Sequence, residues 1–103
     1  MSPTQRSLAH MRKLGYTAAV TEHWNGFAKI RQDLFGIVDV LCLCDGHTVA
    51  IQCTSGSNVA SRVTKIAEHQ NTAAIRKAGW KIFVHGWRKN AAGRWTLREI
   101  DCS

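Results

Sequence analysis

The chain has 103 residues, enough for one domain with one core and too few for a second. An apolar fraction of 45%, four Trp and a single Pro exclude a disordered or fibrous chain, and no apolar run reaches the roughly 18–20 residues that span a bilayer. Fourteen Lys and Arg against seven Asp and Glu give a net charge of +7, a balance that favours a polyanionic partner, nucleic acid above all.

The opening Met1-Ser-Pro-Thr-Gln-Arg lacks the apolar centre of a signal peptide. Cys42, Cys44, Cys53 and Cys102 sit mostly inside apolar, strand-like stretches, away from the loop spacings of a secreted disulfide framework. Reduced thiols and a cytoplasmic location are the expectation.

From Thr4 to Leu14 the chain carries Leu8, Met11 and Leu14 at intervals of three with basic residues between them, and Gly15 follows as a stop, so a helix is predicted. Tyr16 to Trp24 alternates loosely and contains Val20 and Thr21, which predicts a strand ending at Asn25-Gly26. Phe27 to Leu34 is expected to be a polar connection.

Gly36 to Cys44 and His47 to Thr54 are two nearly continuous apolar runs separated by Asp45-Gly46, the preferred pair for a two-residue type I′ hairpin turn. That turn sets Cys44 opposite His47, and counting back pairs Leu41 with Ala50, Val40 with Ile51 and Asp39 with Gln52. Asp39 and Gln52 are the strongly polar interior positions of the two strands, and direct pairing places them on one face, about 4.5–5.5 Å apart at Cβ, with Thr54 on the same side. A carboxylate at such a place needs a cation, an Arg or donated hydrogen bonds. An Asp39–Gln52 side-chain hydrogen bond and a divalent metal both answer that need.

Past the small polar stretch Ser55 to Asn58, a helix is predicted to about Ala78, capped by Ser57 or Asn58 and stopped by Gly79, with a possible break at Asn71-Thr72. Trp80 to Trp87 and Arg94 to Ile100 are predicted strands joined by the basic loop Arg88 to Gly93. Arg62, Lys65, His69 and Arg76 recur at helical intervals, and as one stripe they would track phosphates. Arg31, Arg88 and Lys89 add to the basic surface, and Asp33 reads as a local partner of Arg31 or a phosphate-steering group. Cys42, Cys44 and His47 share the face opposite Asp39, but a fourth zinc ligand is missing.

An initial helix, a three-stranded meander with Asp39 on its second strand and Gln52 on its third, then a helix and a strand, resembles the PD-(D/E)XK nuclease core. The strings Arg31-Gln-Asp-Leu-Phe-Gly-Ile-Val-Asp39 and Ile51-Gln-Cys-Thr-Ser-Gly-Ser-Asn58, followed by Arg62 and Lys65, are similar to small phage and prokaryotic proteins related to Holliday-junction resolvases and VRR-type nucleases. The resemblance implies a single α/β, restriction-endonuclease-like domain with an αβββαβ core, a central mixed sheet and one further C-terminal strand.

It also implies a DNA endonuclease that uses Mg²⁺ or Mn²⁺, acts on branched DNA and works as a homodimer. Asp39, Gln52 and the Cys53 backbone carbonyl would be metal ligands, with Glu22 as a further one. Thr54 stands where the family places a lysine, so Lys65 or Arg62 would have to replace it. Without that replacement the resemblance implies a catalytically silent DNA-binding module. An RNA-binding protein that uses Trp87 or Trp95 is a third reading of the composition.

Overall fold

The computed structural model describes residues 1–103 as an α/β fold: α1 (Pro3–Lys13), β1 (Thr17–Val20), β2 (His23–Asn25), β3 (Ile30–Gln32), β4 (Val40–Cys44), β5 (His47–Ser55), α2 (Val59–Glu68), α3 (Thr72–Lys77), β6 (Lys81–Lys89) and β7 (Trp95–Asp101). Five strands make one mixed sheet in the order β1-β4-β5-β6-β7, in which β5 and β6 run parallel and all other neighbours antiparallel. No helix is long and apolar enough to cross a membrane.

The β4–β5 hairpin has the expected register, Cys44 against His47 through Val40 against Ile51. Asp45 and Gly46 both take positive φ, 24° and 78°, as a type I′ turn demands. Alternation then sorts β5 between two layers. Val49, Ile51 and Cys53 pack with Leu8 and Met11 of α1, whereas Ala50 joins Ile37, Val38, Val59, Ile66, Ile75, Ile82 and Val84 beneath α2 and α3. Gln52, in phase with Ala50, belongs to the second layer.

Three expected boundaries change. The first strand does not run through to Trp24; β1 ends at Val20, and β2 pairs with β3 in a separate two-stranded sheet. The expected connection Phe27 to Leu34 is therefore partly strand. Its turn is set by Asn25, whose Oδ1 accepts the N–H groups of Phe27 and Ala28, each at 3.0 Å, while Lys29 takes a left-handed φ of 55°. The second helix divides where a break was expected: His69 turns extended, with ψ 136°, and α3 starts at Thr72.

Gly36 does not start a strand either. Phe35 and Gly36 have φ of 54° and 82°, the N–H of Gly36 reaches Asp33 O at 3.0 Å, and Leu34 bridges to Val38. This compact turn brings Asp33 back toward Asp39. The positive φ favours glycine at this position, and a side chain there would displace the His69 ring.

Between α1 and the sheet lies a buried polar chain. Trp87 Nε1 donates to Ser7 Oγ at 2.9 Å, Ser7 Oγ lies 2.9 Å from His85 Nδ1, and His85 Nε2 meets Glu99 at 2.7 Å. Each buried polar atom thereby has a partner. Across the sheet, Gly86 admits the start of α2: a Cβ at this position would overlap Val59 and approach Gly56. Gly86→Ala is expected to cost about 1–3 kcal/mol by overpacking. Urea unfolding of the two proteins checks this, and equal midpoints would contradict the close approach.

Candidate functional site

Five polar side chains converge at the end of the β4–β5 hairpin, each delivered by a different segment. Thr21 fastens the chain after β1 by donating its N–H to Asp39 O at 2.8 Å and its hydroxyl to Val38 O at 2.9 Å, and Glu22 follows immediately. Asp33 comes from the turn after β3. Asp39 lies one residue before β4, Gln52 is on β5, and Lys65 is on α2. Carboxylate oxygens of Glu22, Asp33 and Asp39 all lie within 4.8 Å of one another.

Asp39 and Gln52 do meet, just beyond the last ladder pair. Gln52 Nε2 donates to Asp39 Oδ2 at 2.5 Å and to Asp33 Oδ2 at 3.3 Å, and the Cys53 N–H donates to Asp39 Oδ2 at 2.8 Å. Lys65 Nζ is 3.3 Å from Asp33 Oδ2. Gln52 is only 2% exposed and its Oε1 has no hydrogen-bond partner. One buried acceptor is thus left unsatisfied among acidic groups, an arrangement that costs free energy.

The electrostatics follow from crowding. Burial, and then the neighbouring Asp33, push the Asp39 carboxyl up to about 8. At Asp33 burial also raises the pKa, but hydrogen bonds with Asp39 and Gln52 together with the Lys65 charge outweigh it, and the net direction is down. Near neutral pH the pair therefore holds one proton, on the Asp39 side, because two adjacent carboxylates cannot both ionise cheaply.

Through Asp33 and Lys65 the cluster borders a cleft of about 500 Å³, whose other lining residues are His23, Arg31, Gln32, Gly36 and Arg62. Arg31, Arg62 and Lys65 thus line one cleft. The remaining basic positions do not join them. His69 is packed against Gly36, with its Nδ1 accepting the Asn71 N–H at 3.1 Å. Arg76, carried on α3 after the helix break, turns to Cys102 O at 2.8 Å. Arg88 and Lys89 line a second cleft with Arg6, Trp87 and Trp95. The single stripe Arg62-Lys65-His69-Arg76 is replaced by an α2 pair, because helical phase is lost at the break.

Asp33 is the residue that sequence reasoning undervalued. Its spacing from Asp39 carries no periodic signal, since the intervening turn depends on Phe35 adopting positive φ. Cys42, Cys44 and His47 do not come together: Glu22, Asp33 and Asp39 are the group of three such side chains whose ligand atoms lie close enough to share an ion. The Cys42 and Cys53 thiols are pushed up by burial, to about 11 and about 12, which leaves them poor nucleophiles at neutral pH. Trp87 is buried, whereas Trp95 is 41% exposed with Arg6 stacked over one face at 3.8 Å from the ring centroid.

Compared with known proteins, the sequence matches no family model and no curated protein.

Because the folded Asp39 pKa lies above its ordinary value of 3.8, this group's contribution to metal-free stability is full below about pH 4 and declines as pH rises toward 8. Asp39→Asn should therefore raise the melting temperature in EDTA, with a small gain at pH 4 that widens steadily to pH 8. An asparagine also offers Gln52 Oε1 a donor. Melting curves for both proteins across that range test the sign, and a gain that shrinks with rising pH would contradict it.

Proposed function

We propose that this chain is a divalent-metal-dependent DNA endonuclease of the PD-(D/E)XK type. The observation that carries the reading is the convergence of Glu22, Asp33, Asp39 and Gln52 beside Lys65, at a cleft whose walls present Arg31 and Arg62. The sheet order and the helix positions are compatible with the core that the sequence resembles.

The residues fit a hard cation such as Mg²⁺ or Mn²⁺. Oxygen donors predominate, Asp39 carries a proton that a cation would displace, and the buried Gln52 Oε1 lacks a partner that a cation would supply. In an extended strand the N–H and C=O of one residue face the same edge, so the Cys53 carbonyl is directed to the side on which its N–H meets Asp39. Glu22, Asp33, Asp39, Gln52 and that carbonyl are the proposed ligand set. When bound, the metal supplies Lewis acidity toward a phosphodiester and lowers the pKa of water.

The rest is the protein's own work. Arg31 and Arg62 hold phosphates in the cleft and set the register of the strand. Lys65 replaces the family lysine: Thr54, at that position, is buried and uncharged, whereas the Lys65 ammonium reaches the cluster and opposes the negative charge that develops at phosphorus. The half-buried Lys65–Asp33 pair keeps that ammonium in place. A homodimer would provide two such sites for two strands, and the four free cysteines suit a cytoplasmic setting.

Incubation with DNA in Mn²⁺ and in EDTA is the direct test. Wild type should cleave only with metal, Asp39→Ala should lose at least about a hundredfold of that rate while binding DNA within about twofold, and Lys65→Ala should slow cleavage about tenfold or more. Equal cleavage by purified Asp39→Ala protein would overturn the mechanism, and DNA binding without cleavage by wild type would identify a catalytically silent module. Binding itself should weaken steeply as salt rises, since phosphate contacts release counterions. Affinity that stays flat between 50 and 200 mM salt would contradict a phosphate-tracking cleft.

A further inference from the structure

The β2–β3 hairpin has a composition and a position that the proposed hydrolysis does not use. Phe27 at its turn is fully exposed, at 102%, and Trp24 and Ile30 beside it are 59% and 51% exposed. The turn is nevertheless ordered: Asn25 Oδ1 holds the N–H groups of Phe27 and Ala28, and Asn25 Nδ2 donates to Gln32 Oε1 at 3.3 Å. A side chain this apolar, presented outward on a braced turn, has no partner within the chain.

Charge narrows what it meets. His23 to Gln32 contains no acidic residue, Lys29 stands in the turn, and Arg31 pairs across the hairpin with Trp24, so a cation and an aromatic share one face. A second copy would set like charges together. A polyanion with apolar, stackable faces satisfies both features, and nucleic acid is the polymer of that description.

The base of the hairpin meets the cleft. His23, Arg31 and Gln32 line it, and Asp33 of the acidic cluster follows β3 directly. The tip and the site are therefore two ends of one short element. A three-residue strand advances about 10 Å, the length of about three nucleotide steps at 3.4 Å each.

We propose that this hairpin is a wedge for DNA that opens from duplex into single strands, with Phe27 stacking on the bases at the opening and Lys29 and Arg31 holding the flanking phosphates. The proposal rests on the DNA reading of the cleft and adds the substrate feature that the protein recognises.

The test is made in EDTA, so that it does not require cleavage. Forked DNA with 2-aminopurine at the fork is compared with continuous duplex of equal length. Wild type should bind the fork about tenfold more tightly than the duplex and change the 2-aminopurine fluorescence; Phe27→Ala should lose most of that preference and signal while keeping its duplex affinity, and Phe27→Trp should restore both. Because Phe27 packs against nothing, the alanine variant keeps the fold, which a circular-dichroism melt checks. A fork preference unchanged in Phe27→Ala, or none in wild type, overturns the wedge. If wild type shows the preference yet cuts no DNA in Mn²⁺, the wedge stands and the nuclease reading falls; if it cuts continuous duplex as readily as forks, the reverse holds. Absence of any DNA binding removes both.

Discussion

A carboxyl group buried at the end of an apolar hairpin organises the polar side chains gathered around it. Asp39 is placed there by the register of β4 and β5, and the fold answers its burial with two donors, the Cys53 N–H and the Gln52 amide. Those donors would suffice for a single carboxylate. They do not suffice for three acidic groups within 4.8 Å, and the surplus appears as a proton retained on Asp39 and as an unpartnered Gln52 Oε1. Thr21, the Phe35-Gly36 turn and the Lys65–Asp33 pair all bring further polar groups to that same point. A structure assembled to this extent around an electrostatic cost is more economically read as a site than as a core defect.

What was legible in the sequence and what was not divide along physical lines. Asp45-Gly46 dictates a turn, the turn dictates register, and register brings Asp39 to Gln52. The alternation of Val49, Ile51 and Cys53 against Ala50 and Gln52 likewise follows from a period of two. Asp33 was harder, because its approach depends on a bulky residue, Phe35, taking positive φ, which local sequence does not announce. The β2–β3 hairpin was hidden for the same reason, its left-handed position being filled by Lys29. Glu22 reached the cluster from a linker instead of a strand face, held there by Thr21. Arg76 falls outside the α2 stripe because a helix break lies between them, and periodicity does not predict direction across it.

The basic residues illustrate how composition differs from surface. A net charge of +7 is spread over the sequence, yet the fold gathers only Arg31, Arg62, Lys65 and His23 around the acidic cluster. A second basic group, Arg6, Arg88 and Lys89, lies with Trp87 and Trp95 in another cleft, while Arg12 closes the exposed edge of β1 by donating to Ala18 O at 2.9 and 3.2 Å. The cations near the site face an acidic interior, so a phosphodiester entering the cleft would meet positive walls and a negative floor. Such a floor repels the reacting phosphate unless a cation is bound, which couples the placement of that one group to metal occupancy while the basic walls hold the flanking phosphates with or without it.

That coupling makes metal binding the point on which the account turns. The most direct measurement is calorimetric titration of Mn²⁺ into the protein at pH 7 in two buffers of different ionisation enthalpy. With the Asp39 carboxyl at about 8, the metal-free site holds a proton at this pH, so binding should release close to one proton per ion, and Asp39→Asn should bind at least about tenfold more weakly and release none. Absence of Mn²⁺ binding to wild type, or equal affinity and proton release in the variant, would contradict the assignment of this cluster as a metal site.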